Sequence, residues 1–229
     1  PVSVHTMARY TGLFVSENLP LGPKLSVELG LRWNEARVRL SDQLGTALNG
    51  RHVFRRLNPG VEFDYRLSDA LTLRAGYAQT NRAPTPAELS CADEAAPCSL
   101  TNFFVGDPPL KQVVASSWEA GASGKWDGAW SLGWLLSAYR TTSRDDIQFI
   151  AAQTRGRAYF QNIGKTRRQG VELTARATRG PWQVQAGYAF TDARFRTPLL
   201  LNSPDNPSAD ANGQISVSPG NRIPRAARH

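Results

Sequence analysis

Residues 25–34 read LSVELGLRWN, and this stretch decides the fold. Every odd-numbered position in it is apolar, while the even-numbered positions are small or polar and include Glu28 and Arg32. Successive side chains of a β-strand point to opposite faces, so the stretch predicts a strand with one oily face and one charged face. A soluble core would not accommodate Glu28 and Arg32 easily, whereas a strand that separates lipid from a polar lumen would.

The same alternation recurs along the chain, broken at Leu135, and a further strand is predicted around residues 9–15. Aromatic residues, Tyr10 and Phe14 among them, fall near the predicted strand ends and are expected on the apolar face, as in the aromatic girdles of membrane barrels. The alternative is that strands simply favour aromatic residues. The repeated apolar positions are Val61, Phe63 and Tyr65; Leu71, Leu73, Ala75 and Tyr77; Trp130, Leu132, Trp134, Leu136 and Ala138; and Trp182, Val184, Ala186, Tyr188 and Phe190.

Short and long connections alternate between these segments. Outer-membrane barrels have this asymmetry, with tight periplasmic turns and long extracellular loops. The sequence therefore predicts an all-β fold, an antiparallel transmembrane β-barrel wall of about eight strands. The short turns are predicted at 19–24, 67–70, 125–129 and 178–181, and the long polar loops at 41–51, 81–113, 142–158 and 192–221.

Composition excludes several other classes. The 229 residues contain no run of about 18 apolar residues, so no membrane-spanning helix is predicted. Lys and Arg number 27 against 19 Asp and Glu, a formal net charge of +8. The arginines are spread over turns, loops and lumen positions without interleaved exposed aromatics, which argues against nucleic acid and favours attraction of anionic ligands.

Motifs for catalysis are missing from the sequence. It contains no Gly-x-Ser-x-Gly elbow and no His-Glu-x-x-His, and Gly121–Lys125 (GASGK) lacks the first glycine and the final Ser or Thr of a phosphate loop. We interpret GASGK as a turn. Carboxylates such as Glu62 and Asp64 are expected to pair with lumen arginines on neighbouring strands rather than to act as an acid–base pair. No enzyme activity and no cofactor are predicted.

The two cysteines, Cys91 and Cys98, lie in one predicted loop. A disulfide between them fits an oxidising exterior, with free thiols or a metal pair as the alternatives. A metal site would need more ligands, and His5, His52 and His229 are far away in the sequence. We predict a disulfide that stiffens the loop tip, and no metal site.

Several ordered motifs resemble the TonB-dependent outer-membrane receptors. The stretch NRAPTPAEL resembles the Arg-Ala-Pro loop entry of that family, and FQNIGKTRRQGVEL resembles its Asn-x-Gly…Gly-Val-Glu-Leu segment. Further resemblances cover nearly the whole chain. The motifs are 81–89 (NRAPTPAEL), 107–121 (DPPLKQVVASSWEAG), 160–173 (FQNIGKTRRQGVEL), 188–195 (YAFTDARF) and 219–229 (PGNRIPRAARH).

The resemblance implies a barrel of about 22 strands in the outer membrane of a Gram-negative cell, closed by an N-terminal plug domain and driven by the TonB complex. Residues 1–229 are expected to form a partial barrel domain, about eight strands and the start of a ninth, without the plug and the C-terminal closing strands. Such receptors import scarce nutrients, most often ferric siderophores or related metal chelates. The alternative is a small complete outer-membrane barrel with a structural or adhesive role.

Ligand contacts are predicted at the loop tips and the upper lumen, where arginine and aromatic side chains suit an anionic, ring-bearing chelate. Ordinary loop solvation or packing against the plug is the alternative for each residue. Arg82 in particular lies in a motif that marks a strand end, which suggests a structural role. The predicted ligand residues are Arg82, Phe103, Phe104, Arg144, Arg155, Arg157 and Tyr159.

Overall fold

The computed structural model describes residues 3–46, 49–90, 110–152, 157–224, 226 and 228, and the backbone of 98 and 99. Long strands dominate it, joined by turns and by loops that carry short elements of their own. The elements in chain order are β1 (Val4–Pro20), β2 (Leu25–Asp42), β3 (Gly50–Ser68), β4 (Leu71–Arg82), α1 (Pro86–Leu89), β5 (Cys98–Ser99), β6 (Val113–Asp127), β7 (Ser131–Arg144), β8 (Ile147–Ala151), β9 (Arg157–Asn162), β10 (Thr166–Arg179), β11 (Trp182–Phe195), β12 (Leu199–Asn202) and β13 (Gln214–Val217).

The long strands form one antiparallel sheet of eight strands in the order β1-β2-β3-β4-β6-β7-β10-β11. The four short connections lie at 21–24, 69–70, 128–130 and 180–181, where the sequence predicts them. The predicted fold class is thereby confirmed. Among the described residues, no helix is both long and apolar enough to cross a membrane.

The strand register places the predicted apolar positions on one face of the sheet. Leu29 of β2 pairs with Val61 of β3, Val61 with Tyr77 of β4, and Tyr77 with Trp118 of β6. Directly paired residues share a face, so these side chains form one continuous row. We call this side the apolar face and the opposite side the polar face. Trp182, on the apolar face of β11, is 70% exposed, as a lipid-facing residue must be.

The sheet is open at both edges. A closed barrel of eight strands requires its first and last strands to pair, but in the part of the chain that the structure describes β1 pairs with no strand except β2, and β11 with no strand except β10. Outside the strands, the upper end of β11 is bridged to the segment after β13, through Arg194 and Arg222. The small complete barrel that the sequence left as an alternative is therefore not the fold of this chain.

The strands are longer than a membrane requires. β2 has 18 residues and β3 has 19, whereas a tilted membrane-spanning strand needs about 9–11. The apolar alternation of β2 ends at Trp33, after which Glu35, Arg37 and Arg39 occupy the same face. The upper halves of these strands, at the long-loop end, therefore extend beyond the apolar band.

The long loops are more structured than the sequence predicts. β8 and β9 form a hairpin within the predicted 142–158 loop, and β12 and β13 form another within 192–221. Two clusters of buried apolar residues hold the loop segments to the sheet. One packs the region of α1 onto β2 and comprises Val38, Leu40, Leu89 and Leu110. The other packs both hairpins against β11 and comprises Ile150, Ala152, Tyr159, Ile163, Phe195 and Val217.

The interpretation of Gly121–Lys125 as a turn is wrong, because these residues lie inside β6. Gly121 is needed there for close strand packing. A Cβ atom added to it would lie 2.7 Å from the carbonyl oxygen of Leu136 on β7. The glycine therefore marks a close backbone approach within the sheet.

Candidate functional site

The polar face carries charge at the middle of the sheet. Arg74 of β4 lies 2.8 Å from Glu62 and 2.9 Å from Asp64, both on β3. This arrangement confirms that Glu62 and Asp64 pair with an arginine across neighbouring strands. The three side chains are partly exposed, as expected for the inner wall of a barrel.

A recess occupies the polar face at the long-loop end of β1 to β4. It consists of two adjoining cavities of about 460 Å³ and 390 Å³ that share Arg32, Asn34 and Asn81. We call it the upper recess. Its side chains include Tyr10, Phe14, Arg32, Asn34, Asn58, Asn81 and Arg82.

Two aromatic residues of β1 belong to this recess rather than to the lipid-facing girdle. Phe14 pairs with Arg32 and Tyr10 with Ala36, whereas Leu13 pairs with Trp33 of the apolar face. The expectation that Tyr10 and Phe14 share the apolar face is therefore wrong. They are 65% and 73% exposed, so both rings are accessible.

Arg32 is fixed over β1 by its neighbours. Its guanidinium carbon lies 5.9 Å from the centre of the Phe14 ring, and its Nε donates a hydrogen bond of 2.8 Å to Asn34 Oδ1. Gly12 provides the space, because a Cβ there would lie 2.5 Å from Arg32 Nη2. The result is a cation–π contact in which Arg32 lines the recess.

An amide cluster forms the back of the recess. Pairing between β3 and β4 stops above Gly60 and Ala78. In the gap, Asn81 Oδ1 accepts hydrogen bonds from Asn34 (2.9 Å) and Asn58 (2.8 Å), and Asn81 donates one of 2.9 Å to Gln112. These bonds hold the diverging strands together where the NRAPTPAEL motif begins.

Arg82 contacts the short helix that follows this motif. Its Nη1 donates a bond of 2.7 Å to Glu88 Oε2, and the same oxygen accepts a bond of 2.7 Å from the backbone of Thr85. The Thr85 hydroxyl accepts from the Glu88 backbone in return, which makes a capping box. Burial alone would raise the pKa of Glu88, but the bonds from Arg82 and Thr85 outweigh it and lower that pKa. Arg82 thus both orders the loop and lines the recess.

The remaining predicted ligand residues are dispersed. Arg144 is exposed at the end of β7, and Arg157 is exposed on β9. Tyr159 is only 4% exposed within an apolar cluster, which favours packing over ligand contact. A ligand role for these residues stays a prediction. Phe103, Phe104, Arg155 and Cys91 lie outside the described residues, as does the side chain of Cys98, so the disulfide also stays a prediction.

Sequence reasoning missed Phe14, Arg32 and Asn81 as possible ligand contacts. A signal for Arg32 was present, since it occupies a polar-face position among apolar neighbours. Phe14 and Asn81 could be found only once the strand register was known, because their roles depend on residues of other strands.

Comparison with known proteins identifies the family. The sequence model described as "TonB dependent receptor-like, beta-barrel" matches residues 3–229. Among solved structures, the copper transporter OprC is similar, with a TM-score of 0.65 and 22% identity over 82% of this chain. The hemophore receptor HasR of Serratia marcescens has a TM-score of 0.66 and 17% identity over 85% of it. The alcaligin receptor FauA of Bordetella pertussis has a TM-score of 0.57 and 17% identity over 83% of it.

These structures are much longer than this chain. The matched region covers 28% of OprC, 35% of HasR and 31% of FauA. At such identities the structural likeness shows the shared fold, while the family match over residues 3–229 shows membership. The chain therefore belongs to the TonB-dependent receptors and forms part of their outer-membrane β-barrel.

Proposed function

We propose that the receptor imports a scarce nutrient across the outer membrane, and that its cargo is an anionic metal chelate such as a ferric siderophore. The observation that carries this proposal is the cation–π contact between the Arg32 guanidinium and the Phe14 ring in the upper recess. The polar face of a barrel wall lines the lumen, so the recess lies beside the route of a solute.

The chemistry of the recess favours this cargo class. Arg32 and Arg82 offer charged donors, Tyr10 and Phe14 offer ring faces, and the amide cluster offers neutral donors and acceptors. Charged donors bind carboxylate or catecholate oxygens, and aromatic rings stack on planar ligands. The formal net charge of +8 supports attraction of an anion from solution.

The similar receptors do not point to one cargo, since their names include copper, alcaligin and heme. The choice of an anionic chelate rests on the recess. Energy for release is proposed to come from the TonB complex, acting through a plug domain of the full receptor.

Binding by the purified full-length receptor tests the proposal. Ferric catecholate, ferric hydroxamate and ferric citrate are titrated, with a neutral sugar as the reference solute. Arg32→Gln removes a charged donor from the recess and is expected to weaken chelate binding by about tenfold or more.

Arg176→Gln is the matched control. Arg176 also lies on the polar face, but near the short turn between β10 and β11, where it bonds to Gln183 at 2.8 Å. Equal effects of the two substitutions, or binding of the sugar as tight as that of every chelate, would contradict the proposal. Radioactive iron uptake by cells with and without the TonB complex then tests transport separately.

A further inference from the structure

A groove of about 720 Å³ crosses the apolar face of the sheet. Its floor is formed by Ala75, Ala120 and Ala138, which are adjacent in the register of β4, β6 and β7. Larger side chains stand on both sides, with Trp118 at one and Phe190 at the other. The row of small residues between large ones creates the groove.

The groove lies on the surface that faces lipid. Tyr77 and Trp118, whose ring centres are 4.6 Å apart, border its upper end. Paired aromatic residues of this kind mark the level of the lipid headgroups. A hydrocarbon chain that lies in the groove would therefore have its head near these rings.

Arginines occupy the upper end of the groove on the same face. Arg140 pairs directly with Trp118 in the register, lines the groove and bonds to Gln169 at 3.2 Å. One row above, Arg167 of β10 pairs with Arg194 of β11. We call Arg140, Arg167 and Arg194 the outer arginine cluster.

The cluster has an excess of positive charge. Asp192 is the carboxylate that faces it among the described residues, and Arg194 Nε already lies 2.7 Å from this carboxylate. Arg167 Nε is buried without a hydrogen-bond partner in the described part of the chain. Arg140, Arg194 and Arg196 are the like charges near Arg167. An anion at this point would relieve the repulsion and supply the missing acceptor.

We propose that this surface binds one phosphorylated lipid of the outer leaflet, with an acyl chain in the groove and a phosphate on Arg140 and Arg167. Arginine suits this role because its planar guanidinium can bind two phosphate oxygens at once. The site lies on the face opposite the upper recess. It therefore does not depend on the cargo proposed above.

Adjacent arginines on opposite faces provide the test. Arg167→Gln removes a charge from the outer arginine cluster, whereas Arg168→Gln removes one from the polar face, where Arg168 contacts Asp146 at 3.4 Å. The full-length receptor is purified, depleted of lipid and titrated with lipid A or with phosphatidylcholine, and bound lipid is counted by native mass spectrometry. Arg167→Gln is expected to weaken lipid A retention about tenfold or more, with little effect from Arg168→Gln.

A second pair of variants tests the groove. Ala120→Leu fills its floor, while Ala186→Leu adds the same volume on the same face outside the lining residues. Reduced lipid A retention in Ala120→Leu alone supports the proposal. The proposal would be overturned if phosphatidylcholine were retained as well as lipid A, or if the two variants of either pair had equal effects. It would also be overturned if inorganic phosphate competed with lipid A while Ala120→Leu had no effect.

Discussion

Tyr139 and Gly170 illustrate how single residues set the spacing of the inner wall. They are direct partners across β7 and β10, and the Tyr139 hydroxyl lies 2.9 Å from Thr191 Oγ1 on β11. A Cβ at Gly170 would lie 3.0 Å from the Tyr139 ring and would also strike the carbonyl oxygen of Phe190. Because Gly170 has no side chain, Tyr139 of β7 can extend across β10 and reach Thr191 on β11.

We predict that Gly170→Ala destabilises the full-length receptor by about 1–3 kcal/mol, because the tyrosine must move or the strands must separate. Gly133→Ala is the control, since Gly133 also lies on the polar face and has no atom within 4 Å of an added Cβ. Denaturant unfolding in detergent measures both. A Gly133→Ala variant as unstable as Gly170→Ala would show that the close contact is not the cause.

The cysteines give a second prediction at this scale. Cys91 and Cys98 lie close together in the sequence of a chain from an outer-membrane family, where an oxidising exterior favours pairing. Mass spectrometry of the alkylated, non-reduced protein is expected to show no free thiol, and the reduced protein is expected to label twice. Two labelled cysteines without reduction would disprove the disulfide.

The upper recess shows which residues the sequence could and could not place. Arg82 was expected at a ligand surface and lines the recess. Phe14 was expected among the lipid-facing aromatic residues. That expectation is wrong because the aromatic residues of β1 lie on the face opposite Leu13 and Val15. Strand alternation assigns two faces but does not by itself say which face meets lipid when both carry apolar residues.

Among whole elements, the long strands were predictable and the loop elements were not. Alternation is a local pattern, so the predicted apolar sets of β2 and β11 fall on one face as expected. The β8–β9 and β12–β13 hairpins are short, and Ile150 and Val217 meet in one cluster although they are distant in the sequence. No local pattern contains that contact, which is why these segments were expected to be polar loops.

The assigned faces lead to a prediction for β10. Leu173 lies on the apolar face in a row with Leu136 and Tyr188, near the middle of the apolar band, while Thr174 lies on the polar face. Leu173→Arg is expected to cost about 2–4 kcal/mol, because it places a charge at the bilayer midplane, and Thr174→Arg much less. Folding of the full-length receptor into lipid vesicles compares the two. The opposite ranking would refute the assigned faces.

At the scale of the whole molecule, the open edges of the sheet determine whether residues 1–229 can form a barrel by themselves. Among the described residues, the outer edge of β1 has no strand partner, and the outer edge of β11 is bonded only at its upper end, to the segment around Arg222. Unpaired backbone groups in lipid cost several kcal/mol each. We predict that residues 1–229 expressed alone do not form a discrete barrel whose gel mobility changes on heating. The full-length receptor under the same conditions is the control. A monodisperse, protease-resistant barrel from this segment alone would contradict the open-edge argument.

The length of β2 and β3 determines how far above the membrane their ends lie. About nine residues of β3 exceed what the hydrocarbon core requires, which at a rise of about 3.4 Å and a tilt of about 45° lifts the strand end roughly 20 Å above the edge of that core, well beyond the headgroup layer of about 5–8 Å. At physiological ionic strength, surface charge is screened within about 8 Å. The strand tips therefore stand in bulk electrolyte, outside the ionic atmosphere of the membrane. A dissolved molecule that arrives there responds to the charge of the protein rather than to that of the lipid.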